Sequence, residues 1–216
     1  MSTDTDITKT PVYAAPQRRS AFLDIALVAA FTGLIAVCAL LPAINVNGLV
    51  PITLQTFAVL LSGAVLGAKR GFLAVALYVV LGAAGLPIFS GGAGGLGVLA
   101  GPTVGYLIGF PLGAALTGFL VERLPRKTSA LRTGLVFLCG LAGSAAFIHT
   151  LGVTGLVLRA DMTWVDAWTF ELTFLPGDLI KNAAMALVAT GVHAAFPDLL
   201  PRRKNATAAG SGTINA

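Results

Sequence analysis

Charge is what this sequence has least of. Of its 216 residues only 11% are Asp, Glu, Lys or Arg, whereas 56% belong to the apolar set Ala, Val, Ile, Leu, Met, Phe, Trp, Tyr and Cys. A soluble domain carries roughly a quarter charged residues, which keep its surface dispersed in water. A soluble enzyme is therefore excluded. Cysteine occurs only twice, which excludes a disulfide scaffold. Polar tracts are too few for a disordered chain, and the apolar runs are continuous where a transmembrane β-barrel would alternate. No Walker A sequence occurs, so the chain binds no ATP through a P-loop. No cleavable signal peptide is expected: the first twenty residues are polar, and the apolar run after them is long enough to span and lacks an A-x-A context.

What is there is hydrocarbon. No charged residue lies between Asp24 and Lys69, nor anywhere in positions 71–121. Each stretch must hold more than one crossing, because a spanning helix needs about 20 residues. Breakers divide them. The first segment runs from Leu23 to Leu41 and stops at Pro42, and Asn47-Gly48 is a turn dipeptide. The second runs from Ile52 to Gly67 and the third from Phe72 to Leu86, halted by Pro87. A Gly-rich stretch (87–101) precedes the fourth, Pro102 to Val121, where Pro102 suits a first helical turn. The fifth extends from Thr133 to Leu158 and the sixth from Pro176 to Phe196. Segments two and three are short for a crossing and should borrow flanking residues or border a thinned or water-filled region.

The loops check this count. Arg18-Arg19, then Lys69-Arg70, then Arg123, Arg126, Lys127 and Arg132, then Arg202, Arg203 and Lys204 all fall on one side of a six-span chain. The opposite loops carry a single basic residue, Arg159, beside Asp161, Asp166 and Glu171. Basic loops mark the cytoplasmic face, so the expectation is an all-α membrane protein of six transmembrane helices with both termini in the cytoplasm. Its membrane domain spans 21–200, between disordered tails at 1–20 and 201–216. The net charge of +5 resides in these loops and tails and sets orientation, so no nucleic-acid partner is expected.

Asp178 and Lys181 lie inside the sixth apolar segment, just after Pro176-Gly177. A charge near the bilayer centre costs at least about 2.5–3.5 kcal/mol. Two readings account for the pair: a mutual i, i+3 ion pair with Lys181 snorkelling to water, or a polar pocket open to the outer face that both residues line. The Gly-rich stretch from Phe89 to Thr103 is too apolar for a solvated linker and too rich in glycine for a helix. It is either a close-packed re-entrant connection or a place where backbone amides approach a mostly neutral ligand; Phe89, Gly92, Gly95 and Leu96 are its candidates. Thr53 and Gln55 open the second segment, and Tyr106 lies a turn inside the fourth on the same side. Each either bonds a neighbouring helix or faces a ligand, and they converge only if segments two, four and six are neighbours. His149 and His193 show no paired-His spacing and His193 lies near the cytoplasmic end, so no metal is expected. Cys38 and Cys139 read as packing residues. Ala26 and Ala30 form a small-residue ridge on the first segment, which serves either packing within the bundle or docking of another subunit.

Taken in order, Pro-Ile-Thr-Leu-Gln-Thr-Phe (51–57), Gly-Ala-Lys-Arg-Gly (67–71), Gly-Gly-Ala-Gly-Gly-Leu-Gly (91–97), Gly-Pro-Thr-Val-Gly-Tyr-Leu-Ile-Gly-Phe (101–110) and Pro-Gly-Asp-Leu-Ile-Lys (176–181) resemble the BioY family, the biotin-specific S components of energy-coupling-factor (ECF) transporters. The resemblance covers about 20–200. It implies the ECF S-component fold, a multi-pass protein of a bacterial or archaeal plasma membrane that captures biotin at the outer face beneath the loops after helices one and three. It implies partners: a transmembrane coupling protein and two ABC ATPases, with biotin as transported substrate, no cofactor and no enzymatic activity. Asp178 and Lys181 match the family's binding acid and amine, and Ala26 and Ala30 its docking ridge. An acid suits an N–H donor of biotin's ureido group, and an amine suits either the ureido oxygen or the carboxylate. Two other readings stand beside this one: an intramembrane enzyme using Asp178 with a membrane-embedded His, and a purely structural subunit.

Overall fold

The computed structural model describes residues 21–46, 50–125 and 130–200. Both tails, the Asn47-Gly48 turn, and Arg126 and Lys127 lie outside the described residues. The described chain is helical apart from one hairpin. Helix α1 (Ala21–Leu40) is followed by strands β1 (Ile44–Val46) and β2 (Val50–Ile52), paired antiparallel with Ile44 opposite Ile52. Next come α2 (Gln55–Leu66) and α3 (Ala68–Ala83), then two short 3-10 turns at Ser90–Gly92 and Leu96–Ala100, then α4 (Val104–Val121). Helix α5 (Ala130–Gly143), a π-helical stretch (Ser144–His149) and α6 (Thr150–Arg159) run on without interruption, and α7 (Trp164–Glu171) and α8 (Leu175–Ala195) complete the chain.

Apolar composition makes these helices: in hydrocarbon every backbone N–H and C=O must be paired within the segment. Among the described residues, α1, α4 and the continuous helix Ala130–Arg159 are long and apolar enough to cross a membrane, and α7 with α8 forms a fourth candidate bent by 50°. Helix α2 has only 12 residues, a length of about 18 Å. The sequence expectation of short second and third segments thus meets a 12-residue α2 and a 16-residue α3.

Helix α4 is central, packing on α2, α3, α5, the π stretch and α6, while α2 packs on both α4 and α8. Small residues make these contacts close. A Cβ on Gly63 of α2 would lie 2.0 Å from the Ala114 carbonyl oxygen, and one on Gly105 of α4 would lie 1.9 Å from that of Leu151. Such backbone approaches are how helices associate where water gives no hydrophobic drive. Gly67, at φ 85° and ψ 175°, reverses the chain between α2 and α3, in a region essentially reserved for glycine. Glu122 accepts from the Ala68 backbone N–H at 2.8 Å and so caps α3.

The two ends of the bundle differ. At one end Arg70 pairs with Asp24 at 3.1 Å and donates to the Leu199 carbonyl, while Arg132 donates to the Pro125 carbonyl and contacts His193 Nδ1 at 3.0 Å. The start of α1, the α2–α3 turn, the α4–α5 connection and the end of α8 therefore gather there, and with them most of the described basic loop residues. The hairpin, the Gly-rich stretch and α7 cover the other end.

Candidate functional site

Beneath those covering segments lies a cavity of about 180 Å³. The first residues of α2 form one side, α4 and the π stretch another, and α7 and the head of α8 a third, with the Gly-rich stretch above. Apolar groups dominate its wall, among them Ile52, Phe89, Val98, Leu107, Phe110, Ile148 and Phe174.

Two polar clusters interrupt that wall. In the first, Lys181 Nζ lies 2.8 Å from Asp178 Oδ1, and Thr56 donates its hydroxyl to the same oxygen at 3.2 Å. Lys181 also donates to Thr56 Oγ1 at 3.3 Å. Asp178 and Lys181 thus make an i, i+3 ion pair and line a cavity at once. Pro176 in the first turn of α8 starts the helix where its missing N–H costs nothing, which sets both side chains on the face toward α2.

The second cluster centres on Glu171, only 1% exposed. Tyr106 donates its hydroxyl to Glu171 Oε2, and His149 Nδ1 lies 2.5 Å from Oε1. Glu171 thus meets a hydroxyl through one oxygen and an imidazole through the other. His149 Nε2 then meets Ser144 Oγ at 2.9 Å and lies 3.8 Å from Asp178 Oδ2. The two clusters therefore touch through His149, and a continuous polar ribbon runs Lys181–Asp178–His149–Glu171–Tyr106. Gly152 makes room for this: a Cβ there would lie 2.3 Å from Tyr106 Cε1.

Of the residues expected from sequence, Asp178, Lys181, Gln55, Thr53, Tyr106 and Phe89 line the cavity. Gln55 donates its side-chain amide to the Tyr78 hydroxyl at 2.9 Å, and Tyr78 in turn donates that hydroxyl to the Ile88 carbonyl at 3.1 Å. Thr53 Oγ1 accepts from the Gln55 backbone N–H at 3.2 Å. Phe89 stacks edge-on against Tyr78 at 5.5 Å. Gly92, Gly95 and Leu96 are not brought to the cavity. Gly92 and Gly95 hold φ of 75° and 88°, so they turn the chain while Ser90, Ala93 and Val98 face inward; Leu96 is left 73% exposed. Ala26 and Ala30 face outward from the bundle, away from any partner helix within it. Cys38 and Cys139 are buried free thiols.

Sequence reasoning missed Glu171, which it placed in a loop, and Thr56, and it set His149 aside. A signal for Glu171 was present: Ala167, Phe170, Glu171 and Phe174 recur at i, i+3, i+4 and i+7, one strip of a helix. For His149 no sequence signal existed, since its neighbours come from α4, α7 and α8.

The chain matches the BioY family over residues 12–198. It is 39% identical to the biotin transporter BioY of Rhizobium etli, over 83% of this chain and 97% of that protein. It is 41% identical to the biotin transporter BioY of Rhodobacter capsulatus, over 83% and 98%. The fold is similar to the crystal structure of the S component for biotin from an ECF-type ABC transporter, with a TM-score of 0.73 and 27% identity over 83% of this chain and 95% of that one.

Proposed function

The chain belongs to the BioY family, and from that premise we propose that it is the biotin-binding S component of an ECF transporter, a transport protein and not an enzyme. The observation that carries the reading is the cavity in which Asp178, Lys181 and Thr56 meet beside an apolar wall. Biotin has the matching chemistry: a ureido group with two N–H donors and a carbonyl acceptor, on an apolar ring and chain. Asp178 accepts from a ureido N–H. The Lys181 amine, 2.8 Å from Asp178 Oδ1, serves the ureido oxygen, which adjoins that N–H, whereas the carboxylate ends a flexible chain far from it. Phe89, Phe110 and Phe174 pack the apolar body.

The wider arrangement follows from the two unlike ends. The basic end faces the cytoplasm, the cavity opens outward, and α1, α2, α3, α4, Ala130–Arg159 and α8 make six crossings with both termini inside. With no P-loop of its own, the chain delivers biotin through a transmembrane coupling protein and two ABC ATPases, docked along Ala26 and Ala30 of α1.

Calorimetric titration of the purified protein with biotin tests the site. Asp178→Asn loses a charge-assisted acceptor worth on the order of 1.5–3 kcal/mol and should weaken binding at least tenfold with the helical spectrum unchanged. Equal affinity in the mutant and the parent would refute the assignment. Loading with labelled biotin of cells that express the chain with and without the coupling proteins tests the energy source.

A further inference from the structure

Helix α7 bears a feature the ligand site does not use. At about 100° per residue, its positions and the turn after it sort into three adjacent strips. Ala167, Phe170, Glu171 and Phe174 are buried against the bundle. Asp166, Thr169 and Thr173 form a polar exposed strip. Between them run Trp164, Val165, Trp168 and Leu172, which are 55%, 75%, 46% and 59% exposed.

A large apolar strip left open beside a polar one, on a short helix at the end of a membrane bundle, fits one solvent. We infer that α7 lies in the headgroup–acyl boundary of the bilayer at the cavity end, and that this lipid contact holds Glu171 in the cavity wall. Tryptophan is enriched at that boundary because its ring is apolar and its N–H polar. The strip continues the lipid-facing surfaces on both sides: Leu158 of α6 before it, and Leu175 and Leu179 of α8 after it, are exposed. The start of α7 is fixed by Thr163, which accepts from the Asp166 N–H at 3.2 Å and donates its hydroxyl to Asp166 Oδ2 at 2.7 Å, a side-chain cap on the first turn. The 50° break between α7 and α8 lets α7 leave the direction of its neighbouring span. With Asp161 and Asp166 beside Arg159, the polar side carries no cationic excess, so the attraction is to the boundary of a zwitterionic bilayer rather than to anionic headgroups. The Trp strip borders the buried one, with Trp164 and Trp168 seven and three residues before Glu171 and so beside it on the helix, and a lipid hold on those rings fixes the rotation of α7 at which Glu171 engages Tyr106 and His149.

The molecule supplies its own probe, since its two tryptophans are both in α7. In the wild-type protein reconstituted in phosphatidylcholine bilayers, lipids brominated near the ester carbonyl should quench the fluorescence strongly, lipids brominated near the chain terminus weakly, and aqueous acrylamide weakly. Strong acrylamide quenching without a bromine effect puts α7 in water and overturns the inference. Quenching greatest from the deep bromines makes α7 part of a spanning segment, and protection from all three quenchers means a protein covers the strip; either result overturns it too. For the hold on the cavity wall, Trp164→Ser combined with Trp168→Ser should weaken biotin binding in the same bilayers about tenfold, with Trp164→Tyr plus Trp168→Tyr restoring it. Unchanged affinity in the serine variant sinks that half of the inference. Only this second arm rests on biotin as the ligand: wild-type protein that shows shallow quenching and takes no biotin would sink the ligand reading and leave the placement of α7 standing.

Discussion

Glu171 shows what a single residue can hide in a chain this apolar. It joins α7 to α4 through Tyr106 and to the π stretch through His149, partners 65 and 22 residues away. Glu171→Ala leaves the buried Tyr106 hydroxyl and the part-buried His149 imidazole without their partner, and a polar group stranded in this way costs about 1–3 kcal/mol. The melting temperature in detergent should fall clearly, and biotin affinity with it. Glu171→Gln keeps a hydrogen-bonding group and should retain most of both. A loss in Glu171→Gln as large as in Glu171→Ala would mean that neither volume nor hydrogen-bonding capacity suffices and would overturn this reading. Gly152→Ala is the complementary probe: the added methyl meets the Tyr106 ring at 2.3 Å, overpacking costs about 1–3 kcal/mol, and the displaced ring loosens the same cluster. Asp178 and Lys181 were legible in sequence because a charge in hydrocarbon is conspicuous. Glu171 was legible only as a position on the strip from Ala167 to Phe174, because nothing in residue type names the distant partners that bury it.

Among the elements, long apolar helices were legible almost to their ends, since lipid demands continuous apolarity and Pro42, Gly67 and Pro87 mark the stops. The hairpin strands, three residues each, are too short for a periodic signal, and α7 is short enough to pass for loop. The π-helical stretch has no signature in residue type at all. It inserts extra backbone into the span and ends at His149, and such stretches are frequent at functional sites. Inserting an alanine after Ala146 adds a residue that the π stretch does not already absorb and should turn the residues after it by about 100°, swinging His149 off Glu171. Circular dichroism should show unchanged helicity while biotin affinity drops by more than tenfold; retained affinity would show that the stretch positions nothing. In the Gly-rich stretch, Gly95 holds φ 88° and ψ 169°. A side chain there costs about 1–3 kcal/mol, so Gly95→Ala should speed biotin dissociation by disturbing the cover rather than the pocket, which stopped-flow release would detect.

For the whole molecule, the basic residues that the sequence assigns to one face do gather, where described, at one end, opposite the cavity. Thiol labelling checks the orientation. Cys38 and Cys139 are buried and give a low background, so Leu96→Cys in the exposed cover should react with an impermeant maleimide from outside intact cells, and Lys69→Cys only after the membrane is opened. Reversed labelling would invert the topology. Convergence of the site was not legible, because it depends on α2 lying between α4 and α8, and that depends on glycines whose partners are backbone atoms of other helices.

Those glycines have a mechanical consequence. With Gly63 against Ala114, Gly105 against Leu151 and Gly118 against Ala68, α2, α3, α4 and α6 meet backbone to backbone, and packed backbones leave no slack in which one half could rock against the other. A cargo that enters at one end of such a block leaves it when the covering segments swing aside or when the block reorients as a single rigid object.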